Sequence, residues 1–251
     1  MEINKIYNES NLDTMARMPD NFIDLTVTSP PYDNLRTYNG YCFDFENVAK
    51  ELFRVTKQGG VVVWVVSDAT INGSETGTSF KQALYFMQCG FNLHDTMIFR
   101  KKNPIPQIYR KRYNNEFEYM FVFSKGVVKT HNPLMVDCLH AGLELNGTTY
   151  KNYSKNEQTR EKMANPVKAQ KIKGNIWEYV VGTKQEDQEA KGHPAMFPEQ
   201  LANDHILSWS NENDLVYDPF MGSGTTAKMA HIYNRNWIGS EISSEYVELA
   251  N

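Results

Sequence analysis

The chain has 251 residues, of which 41% are hydrophobic and 22% are charged. These proportions are typical of a globular protein and exclude a disordered or collagen-like chain. The formal net charge of −4 at pH 7 argues against a protein that coats nucleic acid through its total charge. The amino terminus lacks the layout of a signal peptide, and the longest apolar run, residues 61–66, is too short to cross a bilayer. We therefore expect a cytoplasmic protein with no membrane association.

The three cysteines lie far apart, at Cys42, Cys89 and Cys138, and no CxxC pair or Cys/His cluster accompanies them. This spacing indicates neither a disulfide framework nor a zinc site. We expect free thiols and no metal.

Residues 1–126 alternate between strand and helix patterns. A β-rich run covers residues 21–28, helical spacing covers 46–55 and 80–87, and strand patterns cover 61–66 and 116–123. Gly59 and Gly60 are expected to end the first helix. Residues 186–251 resume the alternation, with predicted helices at 199–209 and 225–233 and strands at 214–218 and 237–242. Alternation at these lengths predicts an α/β fold with a doubly wound sheet.

Residues 127–185 are rich in Asn, Lys, Thr and Gly and have weak periodicity. We interpret them as an insertion between the two halves of one sheet, 1–126 and 186–251. Seven basic and two acidic residues lie between Thr149 and Gly174, and residues 100–112 hold six basic residues and no acidic one. Residues 185–251, by contrast, hold three basic and eleven acidic residues. A basic middle interleaved with tyrosines favours nucleic acid as a partner, and a solvated face is the alternative.

A glycine-rich turn follows the predicted strand at 214–218, in the sequence DPFMGSGTTA. The pattern Gly222-x-Gly224-x-x-Ala227 lets a ligand approach the backbone at a helix amino terminus, and Glu241 could hold a ribose. This pattern alone also fits a nicotinamide-dependent oxidoreductase or a structural β–α turn. A phosphate-binding NTPase loop is excluded, because no Gly-Lys-Ser/Thr follows at the required spacing.

A second motif, TSPPY at 28–32, ends the strand predicted at 21–28. Pro30 and Pro31 fix two φ angles and remove two backbone donors, which leaves carbonyl oxygens and the Ser29 hydroxyl as acceptors. Acceptors beside the aromatic ring of Tyr32 suit a planar ligand that carries an amino group. A rigid turn is the alternative.

Together, the two motifs resemble those of the amino-directed DNA methyltransferases. The order, with TSPPY first and the glycine-rich turn last, resembles the permuted beta class of that family. HPAMFP at 193–198, RVTKQGGVVVWV at 54–65 and EFEYMFVFSKG at 116–126 are similar to further elements of the class. The resemblance implies a Rossmann-like, circularly permuted mixed sheet of the S-adenosylmethionine methyltransferase type. It also implies that residues 127–185 recognise the target DNA.

The resemblance further implies direct methyl transfer from S-adenosylmethionine to the exocyclic amine of a flipped base. Ser29 and Pro30 would accept the two amine N–H bonds, Pro31 would hold the turn, and Tyr32 would stack on the base. The implied cofactor residues are Ser10, His193, Pro194, Phe197, Asp218, Pro219, Phe220, Gly222, Ser223, Gly224, Thr225, Thr226 and Glu241. Ser10 stands where the family often has Asp.

Ser at position 29 is found in the family mostly in cytosine 4-amino methylases, so cytosine is favoured and the adenine 6-amino group stays open. We expect DNA phosphates to contact Lys101, Lys102, Arg110 and Arg112. A partner restriction endonuclease, and a monomer or a homodimer, are both left open by the sequence.

Overall fold

The computed structural model describes residues 1–31, 43–104, 106, 111–142, 148–150, 160–162, 167–182 and 198–250. It divides into two compact units. The first comprises residues 1–132 and 175–251, and the second is Pro133–Gly174.

Within the described residues of the first unit, eight strands form one mixed sheet. In chain order they are β1 (Lys5–Tyr7), β2 (Ile23–Thr28), β3 (Thr56–Val66), β6 (Asn92–Lys101), β7 (Phe117–Ser124), β12 (Ile176–Tyr179), β13 (Leu215–Asp218) and β14 (Asn236–Ser240). Their order across the sheet is β1-β14-β13-β2-β3-β7-β6-β12. Strand β7 runs antiparallel to both of its neighbours, whereas the other pairs are parallel. All strands except β7 therefore end at the same edge of the sheet, which we call the carboxyl edge.

Six helices lie among the described residues of this unit: α1 (Asn11–Ala16), α2 (Phe45–Val55), α3 (Thr78–Gln88), α4 (Glu199–Trp209), α5 (Thr225–Ile232) and α6 (Ser244–Ala250). Buried side chains of α1, α2 and α3 pack with Val62, Trp64 and Val66, which are alternate residues of β3. The residues between them point to the opposite face. There, His205 of α4 contacts Met120 of β7, and its ring lies 4.7 Å from that of Trp177 in β12. None of the helices in the described ranges has the length and apolarity needed to cross a bilayer.

The order in which successive strands are added to the sheet reverses between the neighbouring strands β2 and β13. Strand β2 leads through α2 to β3 on one side, whereas β13 leads through α5 to β14 on the other. In an open α/β sheet, the crevice at the carboxyl ends of two such strands is where ligands bind. The described part of TSPPY, residues 28–31, begins at the last residue of β2, and DPFMGSGTTA begins at the last residue of β13. The two motifs therefore meet at this crevice.

The structure confirms the predicted α/β fold with its doubly wound mixed sheet and corrects the helix end expected at Gly59 and Gly60. Gly59 and Gly60 do not end a helix, because α2 stops at Val55 and the chain enters β3 at once. Gly59 has a φ of +79°, and a Cβ there would lie 2.7 Å from Cβ of Lys129. The absence of a side chain at Gly59 therefore leaves room for Lys129. The two glycines lie where the pairing of β2 with β3 shifts register.

The second unit is built from short antiparallel pairs. Strand β8 (Met135–Asp137) pairs with β11 (Gln170–Ile172), and β9 (Thr148–Tyr150) pairs with β10 (Arg160–Lys162). This unit lies within the predicted 127–185 insertion, whereas the β12 segment of that stretch is an edge strand of the main sheet. A hairpin, β4 (Thr70–Ile71) and β5 (Ser74–Glu75), completes the described strands.

Candidate active site

A short hydrogen bond joins the ends of the two central strands. The hydroxyl of Thr28, the last residue of β2, donates to Oδ1 of Asp218, the last residue of β13, at 2.6 Å. Both residues are buried, with exposed fractions of 0% and 1%. The strands pair in parallel through Leu25 and Val216. Because Ser29 follows Thr28 directly, the acceptor motif and the glycine-rich turn are neighbours in space.

The Asp218 carboxylate accepts from two segments of the chain. Besides Thr28, the backbone N–H of Phe220 donates to Oδ1 at 3.0 Å. The Thr226 hydroxyl donates to the Val27 carbonyl at 3.3 Å and also acts to lower the pKa of the carboxyl. Burial raises the pKa of Asp218 to about 6, these hydrogen bonds act to lower it, and the charge of Glu241 raises it. Asp218 is therefore a buried acceptor that holds the end of β2 and the turn after β13 together, and it does not face solvent.

The turn after β13 and the end of β14 are tied by a second carboxylate. One oxygen of Glu241 accepts from the N–H of Gly222 at 2.9 Å and the other from the N–H of Ser243 at 2.8 Å. Each oxygen retains a further lone pair for a ligand hydroxyl. Glu241 is half-buried, and its own N–H donates to Tyr7 at the end of β1. Glu241, predicted to accept from a ribose, therefore lies beside the glycine-rich turn.

Both glycines of the turn have left-handed backbones, with φ of +52° at Gly222 and +87° at Gly224. Gly224 is the N-cap of α5 and provides no side-chain cap. The helix therefore presents its first N–H groups at the turn. Pro219 and Thr226 are buried, whereas the Phe220, Ser223 and Thr225 side chains are partly exposed.

One buried acceptor beside this turn has no partner within the described part of the chain. Asn11 is 3% exposed, and its Nδ2 donates to the Pro219 carbonyl at 3.2 Å, yet its Oδ1 is unpaired. A ligand N–H could satisfy this oxygen. The neighbouring Ser10, predicted to contact the cofactor, is the N-cap of α1 and accepts from the Leu12 N–H at 3.2 Å. These groups fit a nucleoside cofactor that carries amino and hydroxyl groups.

The acceptor motif begins at the carboxyl edge, where Pro30 is buried and Ser29 and Pro31 are partly exposed. Three aromatic side chains, Phe43, Trp64 and Phe220, pack together beside the two motifs. The Phe220 ring contacts Phe43 at 5.2 Å and Trp64 at 6.2 Å, both measured between centroids. The crevice thus combines acceptors with an apolar side, as a planar base with an amino group requires.

The predicted phosphate contacts differ in their surroundings. Lys101, at the end of β6 and so at the carboxyl edge, forms an ion pair of 2.7 Å with Glu118, and both side chains are largely buried. Arg112 pairs with Glu75 at 3.3 Å. Lys102 is exposed and forms no ion pair among the described residues.

Several predicted site residues lie outside the described residues: Tyr32, Arg110, His193, Pro194 and Phe197. Two residues of the crevice were not singled out from the sequence, Thr28 and Asn11. Thr28 stood inside the TSPPY motif but had no visible partner, because Asp218 is 190 positions away. Nothing in the local pattern distinguished Asn11.

A doubly wound mixed sheet in which the glycine-rich turn comes late in the chain and adjoins Ser29 and Pro30 is the arrangement expected of a permuted methyltransferase. Comparison with known sequences identifies the family. The chain belongs to the DNA methylase family, whose model matches residues 23–251. It is therefore a DNA amino-methyltransferase that uses S-adenosylmethionine, and the nicotinamide-dependent oxidoreductase alternative was wrong.

Individual relatives agree with this assignment. The chain is 56% identical over 233 residues to the orphan methyltransferase M.BamHII of Bacillus amyloliquefaciens, an alignment that covers 91% of this chain and 87% of the relative. Among solved structures, the cytosine-N4-specific PvuII DNA methyltransferase matches with a TM-score of 0.73 and 21% identity, over 98% of this chain and 84% of that one. A complex of M1.HpyAVI with S-adenosylmethionine matches with a TM-score of 0.63 and 23% identity, over 98% and 97%. At these identities the two structures share the fold.

Proposed function

We propose that this protein methylates the 4-amino group of cytosine at specific sites in DNA. The observation that carries the proposal is the hydrogen bond from Thr28 to Asp218, which brings Ser29 and Pro30 to the same crevice as the Gly222–Gly224 turn. Ser at position 29, where adenine methylases of the family mostly have Asp, favours cytosine. The PvuII enzyme, described as cytosine-N4-specific, shares the fold.

The proposed role of Ser29 and Pro30 follows from the chemistry of an exocyclic amine. The lone pair of such an amine is delocalised into the ring, which makes it a weak nucleophile. The Ser29 hydroxyl oxygen and the Pro30 carbonyl would accept its two N–H bonds, so that the lone pair is localised and directed at the methyl carbon. S-adenosylmethionine supplies an electrophilic methyl group on its sulfonium. The N–CH3 bond would form as the S–CH3 bond breaks, S-adenosylhomocysteine would leave, and one amine proton would be lost to solvent. The transfer needs no covalent enzyme intermediate.

The cofactor would be held by the groups around the glycine-rich turn. The backbone of Gly222 and Gly224 would receive its amino-acid part, and the free lone pairs of Glu241 would accept from the ribose hydroxyls. The unpaired Oδ1 of Asn11 would accept an N–H of the ligand. Outside the described residues, His193, Pro194 and Phe197 remain predicted walls of the same pocket, and Tyr32 remains the predicted stacking partner of the base.

We assign target recognition to the second unit, Pro133–Gly174, and DNA attachment to the basic segment that follows β6. In the second unit, Lys168 and Lys171 are exposed and could contact phosphates. The name of M.BamHII, an orphan methyltransferase, favours an enzyme that acts without a cognate restriction endonuclease.

The test is DNA-dependent formation of S-adenosylhomocysteine by the purified protein, compared with that by Ser29→Ala. The substitution removes one of the two acceptors, so we expect turnover to fall about 10²-fold to 10³-fold, while S-adenosylmethionine binding stays within about threefold. A matched control is Ser74→Ala, which removes an exposed hydroxyl from the β4–β5 hairpin. Equal turnover of Ser29→Ala and the wild type would refute the proposed role of Ser29.

A further inference from the structure

Thr28 occupies a position that joins the two halves of the proposed site. Its hydroxyl donates to Oδ1 of Asp218 at 2.6 Å, and the same oxygen accepts the N–H of Phe220 at 3.0 Å. A single carboxylate oxygen therefore connects the end of β2 to the first residues of the glycine-rich turn. The side chains of Thr28 and Asp218 are both buried, so water does not compete for this bond.

The bond also anchors the residue from which the two amine acceptors, Ser29 and Pro30, extend. Ser29 is the next residue after Thr28, and the rings of Pro30 and Pro31 restrict the backbone that follows. Once the Thr28 side chain is fixed, little torsional freedom remains before the Pro30 carbonyl. A shift of the Thr28 hydroxyl would therefore move both acceptors relative to the Gly222 turn.

We propose that Thr28 is a positioning residue for methyl transfer, which sets the distance between the amine acceptors and the methyl donor through Asp218. This inference rests on the proposed function of the site. Thr28 is 0% exposed and would act on substrate and cofactor only through its neighbours. Its effect is expected on the rate of transfer, because misplacement of reacting groups by about 1 Å can cost roughly 10²-fold in rate.

Thr26 offers an internal comparison. It lies two residues earlier on β2, and so on the same face of the strand, and it is also 0% exposed. Its hydroxyl, however, has no hydrogen-bond partner among the described residues. A valine at Thr26 removes the same atom from the same strand without breaking a bond to Asp218, which isolates the contribution of that bond.

The bond has a consequence for pH dependence as well. The groups that face the Asp218 carboxylate are Thr28 from β2, Thr226 from α5, the Phe220 N–H and the titratable Glu241 beyond β14. The Thr28 hydroxyl lowers the pKa of Asp218, whereas burial and Glu241 raise it. Loss of the hydroxyl therefore raises the pKa of Asp218 further.

The experiment compares Thr28→Val, Thr28→Ser and Thr26→Val with the wild type, measuring kcat, both KM values and the dissociation constant of S-adenosylmethionine between pH 6 and 9. We expect Thr28→Val to lower kcat at pH 7.5 by about 10-fold to 10²-fold, with the KM values changed less than kcat. Thr28→Ser, which keeps the donor, should recover most of kcat. Thr26→Val should match the wild type. Thr28→Ala removes the donor with less bulk and replaces the valine variant if that variant does not fold.

Two results would overturn the positioning role: wild-type kcat in the variant that lacks the hydroxyl, or equal losses in Thr28→Ser and Thr28→Val. A loss confined to the KM for S-adenosylmethionine would also overturn it, since it would indicate a binding role. Failure of the proposed function has a different signature, because the wild type itself would then transfer no methyl group to DNA.

Discussion

The buried carboxylate of Asp218 leads to a prediction about stability that can be worked out from the structure. Asn at this position resembles the protonated acid, and its Oδ1 can still accept from the Thr28 hydroxyl and the Phe220 N–H. Asp218→Asn therefore removes the cost of burying a charge while it keeps the geometry. We expect the variant to be more stable than the wild type at neutral and alkaline pH.

The magnitude follows from the two pKa values. Burial raises the pKa of Asp218 from 3.8 to about 6. Below pH 3.8 the carboxyl is protonated in both states and costs nothing. As the pH rises from 3.8 to 6, the unfolded chain ionises first, so wild-type stability falls until the folded protein ionises too. The full cost, reached above pH 6, is about 3 kcal/mol, because each pKa unit corresponds to roughly 1.36 kcal/mol.

The assay is urea denaturation of both proteins, followed by tryptophan fluorescence at pH 8 and pH 5. At pH 8 the variant should gain about 3 kcal/mol in free energy of unfolding, or about 6–12 °C in Tm. At pH 5 the gain should shrink to about half that value. Asp13→Asn, an exposed position in the first turn of α1, serves as the control and should show no such pH dependence. A variant that is less stable than the wild type at pH 8, or a gain that is equal at both pH values, would refute the reasoning.

Two further predictions concern cofactor and DNA binding. Gly224→Ala should weaken S-adenosylmethionine binding about 10-fold or more. The φ of Gly224 is +87°, a left-handed backbone that costs another residue roughly 1–2 kcal/mol, and the new Cβ would lie 2.9 Å from Cβ of Ala250. Gly73→Ala, with φ of +82° and nothing within 4 Å, should lose stability only, and calorimetry distinguishes the two. Lys102→Ala should weaken DNA binding and reduce the slope of log affinity against log salt by about 1, whereas Lys101→Ala should change the slope less because Lys101 is already paired with Glu118. Equal slopes for the wild type and Lys102→Ala would contradict a phosphate contact.

Much of the sheet could be predicted from periodicity alone. The central strand β13 is an apolar run, and α2 and α4 have clear helical spacing, so each was found close to its true bounds. Of β3, only the apolar part at 61–66 was found, because its first residues, from Thr56, are mixed in polarity. The strands that were missed lack this signal. β6 mixes exposed and buried positions along Asn92–Lys101, and β12 is four residues long inside a stretch rich in Asn and Lys. Each becomes a strand because a neighbour pairs with it.

The site was predicted in its parts, and the structure added the connections between them. The glycine-rich turn and Glu241 are 19 residues apart and follow a known spacing. The bond between Thr28 and Asp218 depends on which strands are neighbours, and no local pattern contains that information. In the same way, a count of basic residues predicted a DNA-binding segment but could not reveal that Lys101 is paired across β6 and β7.

The most direct test of the account is mass spectrometry of the nucleosides from unmethylated plasmid DNA treated with the purified protein and S-adenosylmethionine. We predict 4-methylcytosine, at a level that saturates when one set of sites is modified. Finding 6-methyladenine would contradict the proposed choice of cytosine, but it would still agree with Ser29 and Pro30 as acceptors for an exocyclic amine. Finding 5-methylcytosine, or no methylated nucleoside, would contradict the central claim that Ser29 and Pro30 direct an exocyclic amine at the methyl donor.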